Sequence, residues 1–552
     1  MWIKRKIKLV SYLLSVILLS GCVLFAGCSH ILSGKDRYTN KVSQEKLQQI
    51  NILELKEIKD NEGEKISGEI KDEKAHAELK LSLEECRALT LENNFSLKVQ
   101  LIEPSIEAER VNEQEAKFEA LFSVDAEYSK TNSPSASFLD YISGNKRDKI
   151  DVEPGVRIPL LSGGTLNFKL TDIREKSNSL FSIYNPTYSS DFTASISQPL
   201  LRNAGKRTAT YGIQLAGYNR QIVDAQTKQV VINTISMVEK AYWSLYAARR
   251  LLDVRKQEYN LAKDLFKESE RLVELGSKSE IELLRTQAGV ASSFENIIKA
   301  ENAVRNMERN LKWILNKPGL NIKTDTALII STEPDPVHYE FDKEKIVTQA
   351  IENRMDMLEM ELRLAWDEST IEYNRNQLYP FVNLYYAYNI NSIGAKRRDS
   401  YDMLFDNKYI DHTVNLYTSI PLGNKAAKSS LRQATYERAK QLASIENKKA
   451  LIEYEVLRDI GHLEASWQHI LASAQTTIHS ERQYKAEKRQ YELGMRTSND
   501  VLQAQTDLAN AKIMEIYALT RYQIDLIDLA YTTGTLLGAS KIDLEPIVPE
   551  NR

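Results

Sequence analysis

Cysteine is nearly absent from this chain. Three in 552 residues, two of them among the first 28, are too few for a disulfide framework or a cysteine-based zinc site. Glycine (21) and proline (13) are also scarce, which rules out collagen-like and low-complexity chains, and 42% hydrophobic with 27% charged residues rules out a polytopic helical membrane protein. Charge of one sign is missing as well. Lysine plus arginine (73) against aspartate plus glutamate (76) gives a net charge of -3, so no basic field is present to hold nucleic acid. No phosphate-cradling loop ending in Gly-Lys-Ser/Thr, no His-Glu-x-x-His and no Gly-x-Ser-x-Gly occurs. The seven histidines are scattered, and His462 and His469, seven apart on one helical stretch, lack the companions of a metal site. No enzyme, cofactor or metal is expected. The length nevertheless exceeds one ordinary domain, so the chain is either several domains or something elongated.

What is present begins with an address. Lys4, Arg5, Lys6 and Lys8 precede an apolar run from Leu9 to Leu19, too short to span a bilayer as a helix. Leu19-Ser20-Gly21-Cys22 follows and resembles the lipobox of bacterial lipoproteins, whose cysteine becomes the lipidated, palmitate-bearing first residue. Phe25-Ala26-Gly27-Cys28 is a second candidate, and an ordinary cleaved signal is the alternative. Residues 1–21 are thus expected to be a signal peptide. Residues 22–80, rich in Lys, Glu, Asp and Asn and poor in aromatics, are expected to be a linker.

All prolines lie outside two windows, Leu200 to Lys317 and Leu422 to Glu545. Glycine is absent between Gly217 and Gly276, and Gly461 is the only one between Gly423 and Gly494. Each window therefore predicts a helix of roughly 100 Å at 1.5 Å per residue. Heptad spacing of Val238, Leu245 and Leu252, and of Val456, Leu463 and Ile470, predicts coiled-coil-like or tubular packing. The two triplets are offset by a constant that also carries Gly276 onto Gly494, so the chain contains a repeat. Around both glycines the text reads helix, turn, helix: Ser279 or Thr497 can cap the second helix, and Glu282 or Asp500 places charge in its first turn. A second echo, Ala88 to Asn93 against Thr348 to Asn353, has a larger offset, which locates an insertion in the first repeat.

Four segments alternate with period two: Phe122, Val124, Ala126 and Tyr128; Phe192, Ala194 and Ile196; Val382, Leu384, Tyr386, Tyr388 and Ile390; and Val414, Leu416, Thr418 and Ile420. A soluble antiparallel sheet alternates in the same way. Export, strand length and flanking tyrosines favour a bilayer instead. Four strands are half of the smallest single-chain barrel, and an open edge is costly in lipid, so identical copies must complete the wall; three would supply twelve strands. The insertion holds another alternating pair, Val156, Ile158 and Leu160 turning at Ser162-Gly163-Gly164 into Leu166, Phe168 and Leu170. Whether this hairpin, 155–171, joins the barrel is left open by the sequence.

The order helix pair, strand, strand, long hairpin, repeated once over about Leu81 to Ser540, resembles the TolC-like family of outer-membrane efflux and secretion channels, and the lipobox resembles its lipoprotein branch. The motifs are Leu83-Glu84-Glu85 through Glu92-Asn93-Asn94, Gln198-Pro199-Leu200-Leu201, and Gly494-Met495-Arg496-Thr497-Ser498-Asn499-Asp500-Val501-Leu502-Gln503-Ala504-Gln505. The resemblance implies an α+β membrane protein: a homotrimeric 12-stranded β-barrel in the outer membrane of a Gram-negative cell, continuous with a periplasmic α-helical barrel. The first repeat would be 81–317, with strands near 121–130 and 190–200 and a helical hairpin at 206–316. An equatorial segment, 318–341, would precede the second repeat, 342–540, with strands near 381–391 and 412–421 and a hairpin at 425–535. Residues 541–552 would be a tail. It further implies a passive conduit served by a periplasmic adaptor and an inner-membrane pump. Protein secretion on the same fold is one alternative, and a lipid-anchored coiled-coil scaffold without a pore is another.

By the same resemblance the inner hairpin closes the periplasmic end, where a tyrosine and an arginine hold neighbouring helices and acidic residues ring the opening. Tyr491, Arg496 and Asp500 match those positions, and Gln503 stands where a second acid would be. The alternative is that Asp500 only caps a helix and Arg496 is solvated. Adaptor docking falls by resemblance on Leu275, Gly276 and Ser279 of one tip and Leu493, Gly494 and Thr497 of the other.

Overall fold

The structure is a computed structural model that describes residues 77–134 and 137–542, with the side chains of 139–141 left aside. The signal segment, both lipidation candidates Cys22 and Cys28, and nearly all of the linker and tail lie outside the described residues. A short strand β1 (Glu78–Leu81) leads into helices α1 (Leu83–Asn93), α2 (Phe95–Gln100) and α3 (Glu103–Glu115). Strand β2 (Leu121–Asn132), helix α4 (Phe138–Ser143) and strands β3 (Lys146–Pro159), β4 (Thr165–Ser177) and β5 (Thr187–Pro199) follow. Next come α5 (Lys206–Ala209) and the first long hairpin, α6 (Tyr211–Glu274) with α7 (Glu280–Leu315). Strand β6 (Ala327–Ile330) precedes α8 (Lys343–Asn353), α9 (Met355–Asn376), β7 (Phe381–Ile390), β8 (Ile393–Gly394), α10 (Arg397–Asp406) and β9 (Ile410–Ser419). The second hairpin is α11 (Lys425–Glu492) with α12 (Ser498–Thr532), closed by the short α13 (Leu536–Ala539).

Each proline-free window holds one very long helix. α6 runs 64 residues and α11 runs 68, about 96 and 102 Å at 1.5 Å per residue. Their heptad positions face inward: Val238, Leu245, Val456, Leu463 and Ile470 are buried, and Leu252 packs against the same core. The helices start where the side chains can satisfy free amides. Ser82 and Glu85 form a reciprocal capping box on α1, Asn94 caps α2, and Asp342 caps α8. Among the described residues no helix is long and apolar enough to cross a membrane.

The strands β2, β3, β4, β5, β7 and β9 form one sheet in that order, every neighbour antiparallel, with β8 beside β5. The direct pairings put every even-numbered strand residue on one face and every odd-numbered one on the other. Phe122 lies opposite Val156, Val156 opposite Phe168, Phe168 opposite Ala194, Ala194 opposite Tyr388 and Tyr388 opposite His412. The even face is apolar over its middle rows. The odd face carries polar cross-strand pairs, among them Lys169–Glu153 at 2.6 Å, Thr193 to Asn389 at 2.6 Å and Ser197 with Asn383 at 3.0 Å. This revises the strand count. The insertion joins the sheet as β3 and β4 between β2 and β5, so each chain supplies six long strands and not four, and a total of twelve does not follow for three copies. The reason is continuity: residue 121 through 132 of β2 pair along the whole of β3 with no gap for β5.

A separate parallel pair, β1 with β6, joins the segment before the first repeat to the segment between repeats. It is fastened to the middle of α6. Tyr242, fully buried, donates its hydroxyl to the Leu81 carbonyl at 3.2 Å and accepts the Thr332 amide at 3.0 Å. Next to it Arg87 meets Glu239 at 2.6 Å, and Ser540 donates to the same carboxylate at 2.8 Å. Burial pushes the neighbouring Cys86 thiol up to about 12, so this cysteine behaves as a small core hydrophobe. Because Glu239 is only 2% exposed, Arg87→Ala leaves a buried carboxylate without its cation and held only by Ser540; the expected cost is about 3 kcal/mol, read as a lowered thermal midpoint, whereas Cys86→Ala loses only packing and shifts it less.

Candidate functional site

The four long helices end in two turns that lie side by side. In the first, Gly276 takes a left-handed backbone (φ 71°) and the Ser277 amide closes onto the Leu272 carbonyl at 2.9 Å; in the second, Gly494 (φ 78°) and the Met495 amide on the Gln490 carbonyl repeat the motif. The two turns then diverge. Thr497 and Asp500 form a complete capping box on α12, and the Asp500 carboxylate, held by the Thr497 amide and hydroxyl, sits below the usual carboxylate range. Ser279, at the equivalent position of α7, makes no side-chain cap bond. Its would-be partner Glu282 is one methylene longer than Asp500 and crosses to the other hairpin, accepting the Ser498 amide at 2.9 Å and the Ser498 hydroxyl. Arg285 holds its other oxygen at 2.9 Å. Burial raises the Glu282 pKa, but the Ser498 hydroxyl and amide, with Arg285, outweigh it and bring it below its ordinary value.

Tyr491 is 1% exposed and packs with Leu265, Val501, Ala504 and Leu508. Its hydroxyl lies 2.9 Å from that of Ser269 on α6, and the Lys278 ammonium stands 4.7 Å from its ring centroid. Lys278 also donates to the Arg496 carbonyl at 3.3 Å. Tyr491 thus ties one hairpin to the other within the chain. Arg496 does not: its guanidinium turns back on α11, to Gln490 at 3.0 Å and Glu487 at 3.2 Å. Gln503 is exposed and donates to Asp507 at 2.9 Å. Asp500, Gln503 and Asp507 are spaced to share one face of α12, so a second carboxylate does stand in the row, one turn beyond Gln503.

Sequence reasoning missed Ser269, Lys278, the cross-hairpin role of Glu282, Ser498 and Asp507. The offset between repeats pointed at Glu282 as the partner of Asp500, but their difference in length was the signal that went unused. At the extreme ends, Leu275, Leu493 and Met495, with Ile281 and Leu284 on α7, are each more than half exposed. This apolar patch includes two of the six residues assigned to adaptor docking and surrounds Gly276 and Gly494. Among the described residues no group of three metal-ligating side chains gathers.

A sheet with one apolar face is thus joined to two helical hairpins, each with one helix of about 100 Å. The family model described as "Outer membrane efflux protein" matches residues 87–317 and 346–535, more than half of the chain, and the chain belongs to that family. The proteases secretion protein PrtF of Dickeya chrysanthemi is 24% identical over 293 residues, 52% of this chain and 60% of that protein. The outer membrane protein TolC of Salmonella enteritidis is 23% identical over 312 residues, 55% of this chain and 59% of the relative. The chain thus spans about three fifths of each curated relative's length. Its fold is similar to the crystal structure of the Campylobacter jejuni CmeC outer membrane channel, with a TM-score of 0.60 at 15% identity, covering 88% of this chain and 94% of that one.

The latch between tips carries a pH dependence. Glu282 is held below its free value of about 4.3, so its stabilisation is complete above that pH and is lost as pH falls through the lower folded value. Amide-exchange protection of residues 276–282 and 494–500 is expected to fall as the pH is lowered past that free value and through the lower folded one. Glu282→Gln, lacking the charge that Arg285 and the α12 N-terminus favour, is expected to lower protection at pH 7 and flatten the acid response, the remainder belonging to Asp500.

Proposed function

We propose that this chain is the outer-membrane subunit of a tripartite efflux system, a passive homotrimeric conduit from periplasm to exterior. In this reading an adaptor and an inner-membrane pump supply opening and energy, and a lipid on Cys22 (alternatively Cys28) anchors the N-terminus to the outer membrane. One observation carries it: an apolar sheet face with two open edges and two hairpins, each with one helix of about 100 Å, form a piece of wall that encloses nothing alone. Three identical pieces complete a cylinder. The chain contributes binding surfaces and a water-lined path, and no reaction chemistry.

The tips serve as the gate in this reading. Asp500 and Asp507 line the inner face of α12, Gln503 spaces them, and Tyr491 and Arg496 brace α11 behind it. Carboxylates around a narrow opening attract cations and repel anions. The exposed Leu275, Leu493 and Met495, around Gly276, Gly494, Ser279 and Thr497, offer an apolar rim for the adaptor. The second reading, a protein-secretion channel of the same build, is favoured by the similarity to the proteases secretion protein of Dickeya chrysanthemi.

Purified trimer in planar bilayers is expected to conduct, with Asp500→Ala reducing cation preference and Arg496→Ala raising the open fraction by loosening the tip turn that Arg496 holds against Glu487 and Gln490 of α11. A trimer that never conducts supports the poreless scaffold, and unchanged single-channel currents in both variants would refute the gate assignment. Co-purification with an adaptor that is lost in Leu493→Asp, at unchanged trimer content, checks the docking rim.

A further inference from the structure

We propose that the β-sheet closes as a ring of eighteen strands, six from each of three copies, with β9 of one copy paired to β2 of the next and the inserted hairpin β3–β4 forming part of the lipid-facing wall. The inference rests on the trimeric reading above and concerns the width and lining of its outer mouth.

The two outermost strands set the geometry. Among the described residues β2 pairs only with β3 and β9 only with β7, leaving one open backbone edge of 12 residues and another of 10. Edge strands of soluble proteins are blunted by charge, proline or a cover. Here the charges Asp125, Glu127 and Asp411 fall on the odd face, while on the even face Phe122, Val124 and Tyr128 of β2 and Val414 and Leu416 of β9 are all more than half exposed. The path from β2 to β9 is antiparallel at every step, so the two edges run in opposite directions. When copies are set in a ring, β9 meets β2 antiparallel, the arrangement of membrane barrels, and the apolar face continues across the seam. The occupant of each edge is therefore a second copy of this chain.

The inserted hairpin is built into that wall and does not project above it. From Ile150 to Ile158, β3 covers about 27 Å at ~3.4 Å per residue. Its even residues Ile150 to Val156 stand opposite Tyr128 to Phe122 of β2, Val156 and Ile158 face Phe168 and Leu166 of β4, and Ile150 and Val152 face Arg174 and Asp172, the latter held by Arg397 and Tyr401 of α10. The row Phe122, Val156, Phe168, Ala194, Tyr388 and His412 crosses all six strands, and the row Ile158, Leu166, Ile196, Tyr386 and Val414 crosses five of them without a charged residue. Its turn is clamped at the helical end of the sheet. Ser162 donates to the Gln198 side chain at 2.7 Å, its carbonyl accepts the Gly205 amide at 3.0 Å, and a Cβ on Gly163 would run into the Asn203 carbonyl. A ring of twelve would require β2 to leave β3 and β5 to leave β4, breaking two fully paired ladders. On the odd face the hairpin adds Lys149–Asp151 at 2.7 Å, Arg147–Glu175 at 3.0 Å and Lys169–Glu153 at 2.6 Å, giving the lumen a charged lining. Barrel diameter grows roughly linearly with strand number, so the mouth is about 1.5 times as wide as a twelve-stranded one.

Single-cysteine labelling of the full-length protein in lipid vesicles tests the hairpin. Val156→Cys and Phe168→Cys are expected to be quenched by a lipid-dissolved reagent, and Arg157→Cys and Lys169→Cys by a water-soluble one. Water access at all four, in a protein that remains trimeric, overturns the proposal and leaves the conduit reading standing. The seam is tested with cysteine pairs scanned over Phe122, Val124 and Ala126 against His412, Val414 and Leu416. Expected is a denaturant-resistant ladder up to three chains with a short bifunctional reagent; a trimer that yields no ladder from any pair overturns the seam. Projection images should show the barrel of the full chain about 1.5 times as wide as that of a variant lacking residues 146–177, and equal widths overturn the strand count. Should that variant not fold, the labelling and the ladder still decide. A strictly monomeric protein in detergent and lipid would instead sink the trimeric reading itself.

Discussion

Backbone amides and carbonyls at the edge of a sheet must find partners, and nothing else about this chain can be understood without asking where those of β2 and β9 go. In hydrocarbon each unpaired group costs several kcal/mol. An apolar face flanked by open edges therefore cannot be a finished object in a membrane. The helices share that character: two hairpins, each with one helix of about 100 Å, bury a seam between themselves. In the proposed conduit, sheet and hairpins make the same demand for further copies.

Repetition supplies most of the architecture, and departures from repetition supply what is particular to this chain. Equivalent positions at the two tips have been turned to different ends. Asp500 folds back to cap its own helix, while Glu282, a methylene longer, ties the first hairpin to the second through Ser498. Tyr491 and Ser269 add a second tie a few turns away. The tips are thus fastened within a chain by short, mostly buried polar contacts, an arrangement that holds firmly in one geometry and offers little if the helices slide. The other departure, the inserted hairpin, widens the sheet by two strands while preserving its alternation of direction, since only an even insertion lets antiparallel neighbours meet around a ring.

Between sheet and tips lies a girdle that neither repeat owns alone. The parallel pair β1 and β6 draws together chain segments far apart in sequence, and Tyr242, Arg87 and Glu239 bind it to the centre of α6. The last helical turn joins the same cluster through Ser540. Placed halfway along the long helices, it holds the largest apolar cluster among the described residues, with Cys86, Leu245, Leu311 and Leu315 fully enclosed.

The long helices, the turns at Gly276 and Gly494, the alternating strands and the internal repeat were legible because each is written in a local period: the absence of helix breakers, a glycine at a left-handed position, apolar residues at every second place. Those features depend on neighbours in sequence, and residue order alone determines them. Which strand lies beside which, that hairpin β3–β4 sits inside the sheet, that Arg496 turns back to Glu487 while Glu282 crosses to Ser498, and that a four-residue strand before the first repeat pairs with one between the repeats were decided only by the tertiary structure. Apart from the nine-residue return of Arg496 to Glu487, these are contacts between residues tens to hundreds of positions apart, where a period-two pattern fits several partners equally and a methylene's reach selects one. Alternation tells a strand that it has two faces; only its neighbours on the sheet tell it where it belongs.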